Sequence, residues 1–162
     1  LGDDIYLEVI GPDESQPETA GKRILDVDRL EAPTLRWWAV RPFLMPLTCG
    51  EFETAGFVPG EVIEGRRELH GGGEVAWQMT DPHVRVLDGL IPLVIDWEEG
   101  SHHPGHDRIP DIALAELTLE HPDHETLAPT FIQLGLPKVH PGAAPALVAT
   151  FDTPNGLVEL RT

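Results

Sequence analysis

The run from Asp88 to Asp107, DGLIPLVIDWEEGSHHPGHD, limits the possible folds more than any other stretch of the chain. Leu90 to Ile95 is unbroken apolar sequence of strand length, so it reads as a strand covered on both faces. Such a strand lies inside its sheet, and a pocket opens at its end. Asp96, Trp97, Glu98, Glu99, His102, His103 and His106 stand at that end, within eleven residues. No other segment gathers as much titratable and metal-capable chemistry.

The same reasoning extends along the chain. DIYLEVI (residues 4–10) alternates Ile5, Leu7 and Val9 against Tyr6, Glu8 and Ile10 before Gly11-Pro12 stops it, which predicts a strand. Residues 13–33 are polar and hold Pro17 and Pro33, with a short helical pattern at Ile24, Leu25, Val27 and Leu30. LRWWAVR (Leu35 to Arg41) reads as an interior strand, because Trp37 and Trp38 point to opposite faces and both need apolar company. A helix is expected over Leu47 to Ala55, closed by Gly56. Strands are expected at Val58 to Leu69 and Glu74 to Thr80, joined by a turn at His70-Gly71-Gly72-Gly73.

Beyond Pro110 the order of elements repeats. Ile112 to Leu119 reads as a strand and His124 to Leu134 as a helix, with Asp123 as candidate N-cap and Gly135 as terminator. Strands follow at Lys138 to His140, Ala146 to Phe151 and Leu157 to Arg161, the last two joined by the Thr153-Pro154-Asn155-Gly156 turn. The chain is thus α+β, with two βαβββ modules. Each would leave one sheet face bare, and pairing them curls a mixed sheet around a cleft.

Charge narrows the partners. Twenty-eight acidic residues face 11 basic ones, a net charge of -17 that opposes binding to phosphate backbones or anionic lipid. Neither nucleic acid nor membrane is therefore an expected partner; a small-molecule ligand or substrate is, together with a second copy of the chain as a homodimer. The lone Cys49 excludes an internal disulfide and fits a reducing compartment, with the cytoplasm as the default. Opening on Leu1 rather than methionine, the chain reads as a fragment or a processed form.

Each candidate site residue has two readings. Glu8 is either an edge-strand charge or a ligand. His102, His103 and His106 either bind a metal such as zinc, nickel or copper or simply face solvent in a glycine- and proline-rich loop; His103 is the best placed of the three. Trp37, Trp77 and Met79 line a cleft or belong to the core. Arg36 and Arg41 grip a substrate carboxylate or pair with one of the many acids. For Glu159 the preferred reading is an outward residue on an edge strand.

The segments LGDDIYLEVIGPD, WAVR, AWQMT, GLIPLVIDW with His103-Pro104, LTLEHPD and LVATFDTPNGLVEL resemble the glyoxalase-like domain family of the vicinal oxygen chelate superfamily. The resemblance implies paired βαβββ modules and divides the chain into the end of a truncated N-terminal module (1–33), one module (34–98), a histidine-rich linker (99–111) and a second module (112–162). It also implies a divalent metal (zinc, nickel, manganese or iron) on the cleft floor, held by a histidine on the first strand and a glutamate on the last strand of each module. Glu8 matches that glutamate and Asp96 its partner, as metal ligand or catalytic base, with His103 nearby as a further ligand. The first-strand histidine position falls at Trp37. Isomerase, lyase and dioxygenase chemistry all occur on this scaffold, and a metal-free binding module is the alternative.

Overall fold

The computed structural model describes residues 5–12, 15, 23–69, 72–101, 103, 105 and 111–162. His102, His106, His70 and Gly71 lie outside them, so the expectations placed there do too. Among the described residues there are two mixed four-stranded sheets and two α-helices, and neither sheet closes on itself. In the first unit β1 (Ala39–Val40) leads to α1 (Met45–Thr54), β2 (Val62–Glu68), β3 (Glu74–Thr80) and β4 (Leu93–Trp97), in sheet order β1-β4-β3-β2. The second unit holds β5 (Ala113–His121), α2 (His124–Gln133), β6 (Val139–Pro141), β7 (Ala146–Thr153) and β8 (Gly156–Arg161), in order β6-β5-β7-β8. The α+β class and the repeated element order are as expected. Strand pairing differs between the units: the first strand of one pairs in parallel with its fourth, and that of the other pairs in parallel with its second.

Both helices stop by the same local chemistry. Gly56 (φ 88°) and Gly135 (φ 67°) adopt the left-handed conformation that glycine reaches without a Cβ clash. The next amide then reaches back to a phenylalanine carbonyl, Phe57 to Phe52 and Leu136 to Phe131, each at 2.9 Å. The helix starts differ from the expected cap. The Asp123 side chain makes no capping bond; its own N–H donates to His121 Nδ1 at 2.9 Å, and its carbonyl starts the helix.

One apolar cluster joins the units. Met45 and Phe52 of α1, Leu90, Ile91 and Val94, Leu119, Leu147 and Val139, and Phe131 of α2 are all buried together. The ring of Phe57 meets that of Phe131 edge-on at 6.0 Å. Trp38 and Val40 pack onto this cluster, and Trp38 Nε1 donates to the Leu90 carbonyl at 3.2 Å. Within β4 the fully buried Val94 points into the cluster; its N–H donates to the buried Thr80 hydroxyl at 3.1 Å. The cluster lies on the Val94 side of the first sheet, and the sheet's other face is turned away from it.

Two expected strands are shorter or absent as ladders. Ile5 makes an isolated bridge and residues 6–12 join no sheet, so the alternation there reports extended backbone without a paired neighbour. Leu35 to Arg41 contributes only Ala39–Val40, at a sheet edge rather than its interior. The segment divides its hydrogen bonds: Leu35 N–H donates to Arg161 O of the second unit at 3.3 Å, while Trp38 O accepts from Leu93 at 3.0 Å. Among the described residues, no helix is long and apolar enough to cross a membrane.

Candidate functional site

The side-chain alternation of a strand turns register into a map of each face. Met79 pairs with Ile63 on one side and Ile95 on the other, and Trp77 with Gly65 and Trp97. These six positions form two rows on the face turned away from the shared core. Arg67, opposite Val75 on β2, continues that face toward the hairpin end.

The tryptophan row is the centre of the site. Trp77 and Trp97 have ring centroids 5.3 Å apart, tilted by 53°. Tyr6, from the extended segment before Gly11, meets Trp97 edge-on at 6.4 Å, and His103 meets Trp97 at 6.0 Å and Tyr6 at 5.6 Å. His103 is 7% exposed, and its Nδ1 accepts the Gly105 N–H at 3.0 Å. A segment that pairs with no strand is therefore held to the sheet by rings, each such contact worth about 0.5–1.5 kcal/mol beyond area.

Gly65 makes the arrangement possible. A Cβ at that position would stand 2.4 Å from Trp77 Cε2, so the indole lies directly over the glycine backbone. Gly65→Ala is expected to push the indole off the strand and cost about 1–3 kcal/mol, with altered tryptophan emission. Urea unfolding followed by fluorescence and by circular dichroism checks both effects.

Burial, and next the Glu8 carboxylate, push the Tyr6 phenol above its usual value near 10, against smaller opposing pulls from the Trp97 indole and the Arg67 guanidinium. The fold thus favours the protonated phenol. Its contribution to stability is complete below the unfolded value near 10 and disappears as pH rises through the higher folded value. Tyr6 is the chain's one tyrosine, so an ultraviolet titration of tyrosinate reads it alone. Above-normal titration is expected in the native protein. Glu8→Gln is expected to lower the midpoint, because the removed charge is a raising influence.

The residues singled out from sequence divide between places. Trp77, Met79, Glu8 and His103 belong to the aromatic face or its covering segments. Asp96 pairs with Gln78, one residue out of step with the tryptophan pair, so it projects from the opposite face. Trp37 is level with Ile91 by the β1–β4 register, roughly 20 Å along the strands from Trp97. There it carries the Arg85 guanidinium over its ring at 5.3 Å, and its Nε1 is buried without a protein acceptor. Arg41 lies one residue past the ladder and is exposed; Arg36, two residues before Trp38, falls on the core side. Tyr6, Gly65, Arg67 and Trp97 were not singled out as site residues. A glycine inside a strand and an aromatic two residues beyond Ile95 were the signals available for two of them. Cys49 Sγ contacts Met45 Sδ at 3.9 Å, and burial raises its thiol pKa, which keeps it a packing residue.

The family profile described as glyoxalase-like domain matches residues 1–135. The chain belongs to the glyoxalase-like domain family. That places this glyoxalase-like domain within the vicinal oxygen chelate superfamily. The match includes both helices and β1 to β5, and β6 to β8 lie beyond it. No curated protein and no solved structure matches the chain. Glu8, Asp96 and His103, the expected ligands, all fall among the described residues. Glu8 and His103 belong to the aromatic side and Asp96 to the other, because even and odd positions of β4 face opposite ways. Among the described residues, no three His, Cys, Asp or Glu side chains are grouped to hold an ion.

Proposed function

We propose that this glyoxalase-like domain binds a small aromatic metabolite carrying a carboxylate, against the Trp77–Trp97 face of its first sheet, in the cytoplasm. The ring cluster of Tyr6, Trp77, Trp97 and His103 is the observation that carries the reading. Stacked and tilted indoles on a sheet face offer a flat apolar surface for another ring, at low cost in side-chain entropy. Arg67 supplies the matching charge. It lies on the same face, acts electrostatically on Tyr6, and stays exposed in a chain where acids far outnumber bases. A guanidinium there can hold a carboxylate through two parallel hydrogen bonds.

Tryptophan quenching with benzoate and with benzamide tests the proposal. Benzoate is expected to bind, with its affinity falling about tenfold (1.4 kcal/mol) in Arg67→Ala while benzamide is little affected. Equal binding of the two probes by the unaltered protein, or no quenching by either at millimolar concentration, would remove the carboxylate site. Repeating the titration with one equivalent of zinc, manganese, nickel or iron(II) addresses the metal that the family implies. Tightening of more than tenfold would replace the metal-free reading with a metal-assisted one.

A further inference from the structure

The two sheets have four edges, and three of them are blunted against further pairing. β1 is two residues long and is followed by Pro42. β6 is three residues long and contains Pro141. At β8, Arg161 O already accepts the Leu35 N–H, and the Arg161 side chain forks onto both oxygens of Glu120. β2 is different. It has seven residues, VIEGRRE, with no proline, no lysine and no shift in its ladder with β3, and Val62 and Ile63 are 44% and 40% exposed. Its protection is charge alone, Glu64, Arg66, Arg67 and Glu68, and those charges are of both signs.

The hydrogen-bond phase of β2 shows which groups are open. Leu69 N–H donates to Gly73 O at 3.0 Å and Asp81 N–H to Glu61 O at 2.9 Å, so the odd-numbered residues bond inward to β3. The even-numbered Val62, Glu64, Arg66 and Glu68 therefore turn both N–H and C=O outward. An antiparallel partner with the same sequence can meet these groups in few registers. Centring on Glu64 or on Arg66 sets that residue against its own copy, like charge to like. Centring on Gly65 sets Glu64 opposite Arg66 and Val62 opposite Glu68, each twice by symmetry. In this register every outward backbone group finds a partner and both charged pairs are of opposite sign. Among the described residues Glu64 has no ion pair, and Arg66 has a loose one, at 3.8 Å, to Glu74.

We propose that β2 pairs with β2 of a second copy of this chain, antiparallel about a two-fold axis at Gly65, so that two first sheets become one continuous sheet. About eight backbone hydrogen bonds would form. Because Trp77 lies over Gly65, the axis also brings the two aromatic faces side by side. This assembly does not depend on the ligand reading.

Sedimentation equilibrium of the purified chain tests it. The weight-average mass is expected to climb with concentration toward twice 17.8 kDa. Glu64→Arg and Arg66→Glu are each expected to weaken association about tenfold or more, by opposing like charges, and the double exchange to restore it. Because a substitution can alter the fold, amide exchange on the unmodified protein supplies a second reading: the outward amides of Glu64 and Arg66 should become protected as concentration rises. A mass that stays at the monomer value overturns the proposal. So does a dimer indifferent to both single exchanges, a double exchange that fails to restore it, or unchanged exchange at those amides.

Discussion

Phe131→Ala is expected to destabilise the protein by about 4 kcal/mol, from the range of roughly 3–5 kcal/mol for emptying a buried aromatic site. Phe131 is 0% exposed and its ring meets Phe57 across the join between the two units. It also belongs to the cluster that includes Met45, Phe52, Val94, Leu119 and Leu147. The cavity would therefore open where both sheets lean on the helices, and both should lose stability together. Domains of this kind have about 5–15 kcal/mol in all, so the loss is a large share. Urea unfolding read by tryptophan fluorescence, which reports the first unit, and by far-ultraviolet circular dichroism, which reports both, should give coincident shifts. A loss below about 1 kcal/mol would show that the site collapses around the missing ring. Separate transitions for the two probes would show that the units do not share one core.

Trp97→Ala is expected to cost about 3 kcal/mol, at the low end of the same range because the indole is only partly buried. Three rings lose their common neighbour: Tyr6, Trp77 and His103 all touch Trp97. With the indole gone, Tyr6 loses burial, the largest raising influence, along with the smaller lowering pull of the indole, so its titration should fall toward 10. Benzoate binding should be lost in the same variant. Trp97→Phe retains a ring and is expected to recover most of the stability. A variant that keeps the raised tyrosine titration after Trp97→Ala would show that the segment around Tyr6 is held by something other than this cluster.

How far these features could be read in advance follows from which physics each residue obeys. The ends of α1 and α2 were legible because a glycine terminator works within one helical turn, and Gly56 and Gly135 both do what their neighbours suggest. β3 was legible end to end, since the β-branched and aromatic run from Glu74 to Thr80 is bounded by glycines on one side and Asp81-Pro82 on the other. The Leu90 to Ile95 run showed where the sheet interior lies. It was silent on which side faced the other unit, because Leu93 and Val94 are both buried and both aliphatic. That silence put Asp96 and Trp77 on one floor, where the register separates them. Pairing choices were out of reach for a similar reason. β5 bonds β6 in parallel and β7 antiparallel, and nothing local to Leu119 distinguishes Val139 from Leu147 as a neighbour.

The bond from Leu35 to Arg161 joins residues near opposite ends of the described chain. Contacts so far apart in sequence form late, because the intervening chain must lose its freedom before the contact can repay it. On a ribosome adding roughly 5–20 residues per second, the Leu35 segment waits on the order of ten seconds for its acceptor to emerge. Until then the Leu35 N–H has no acceptor in the second unit, and the first sheet must form without that tie.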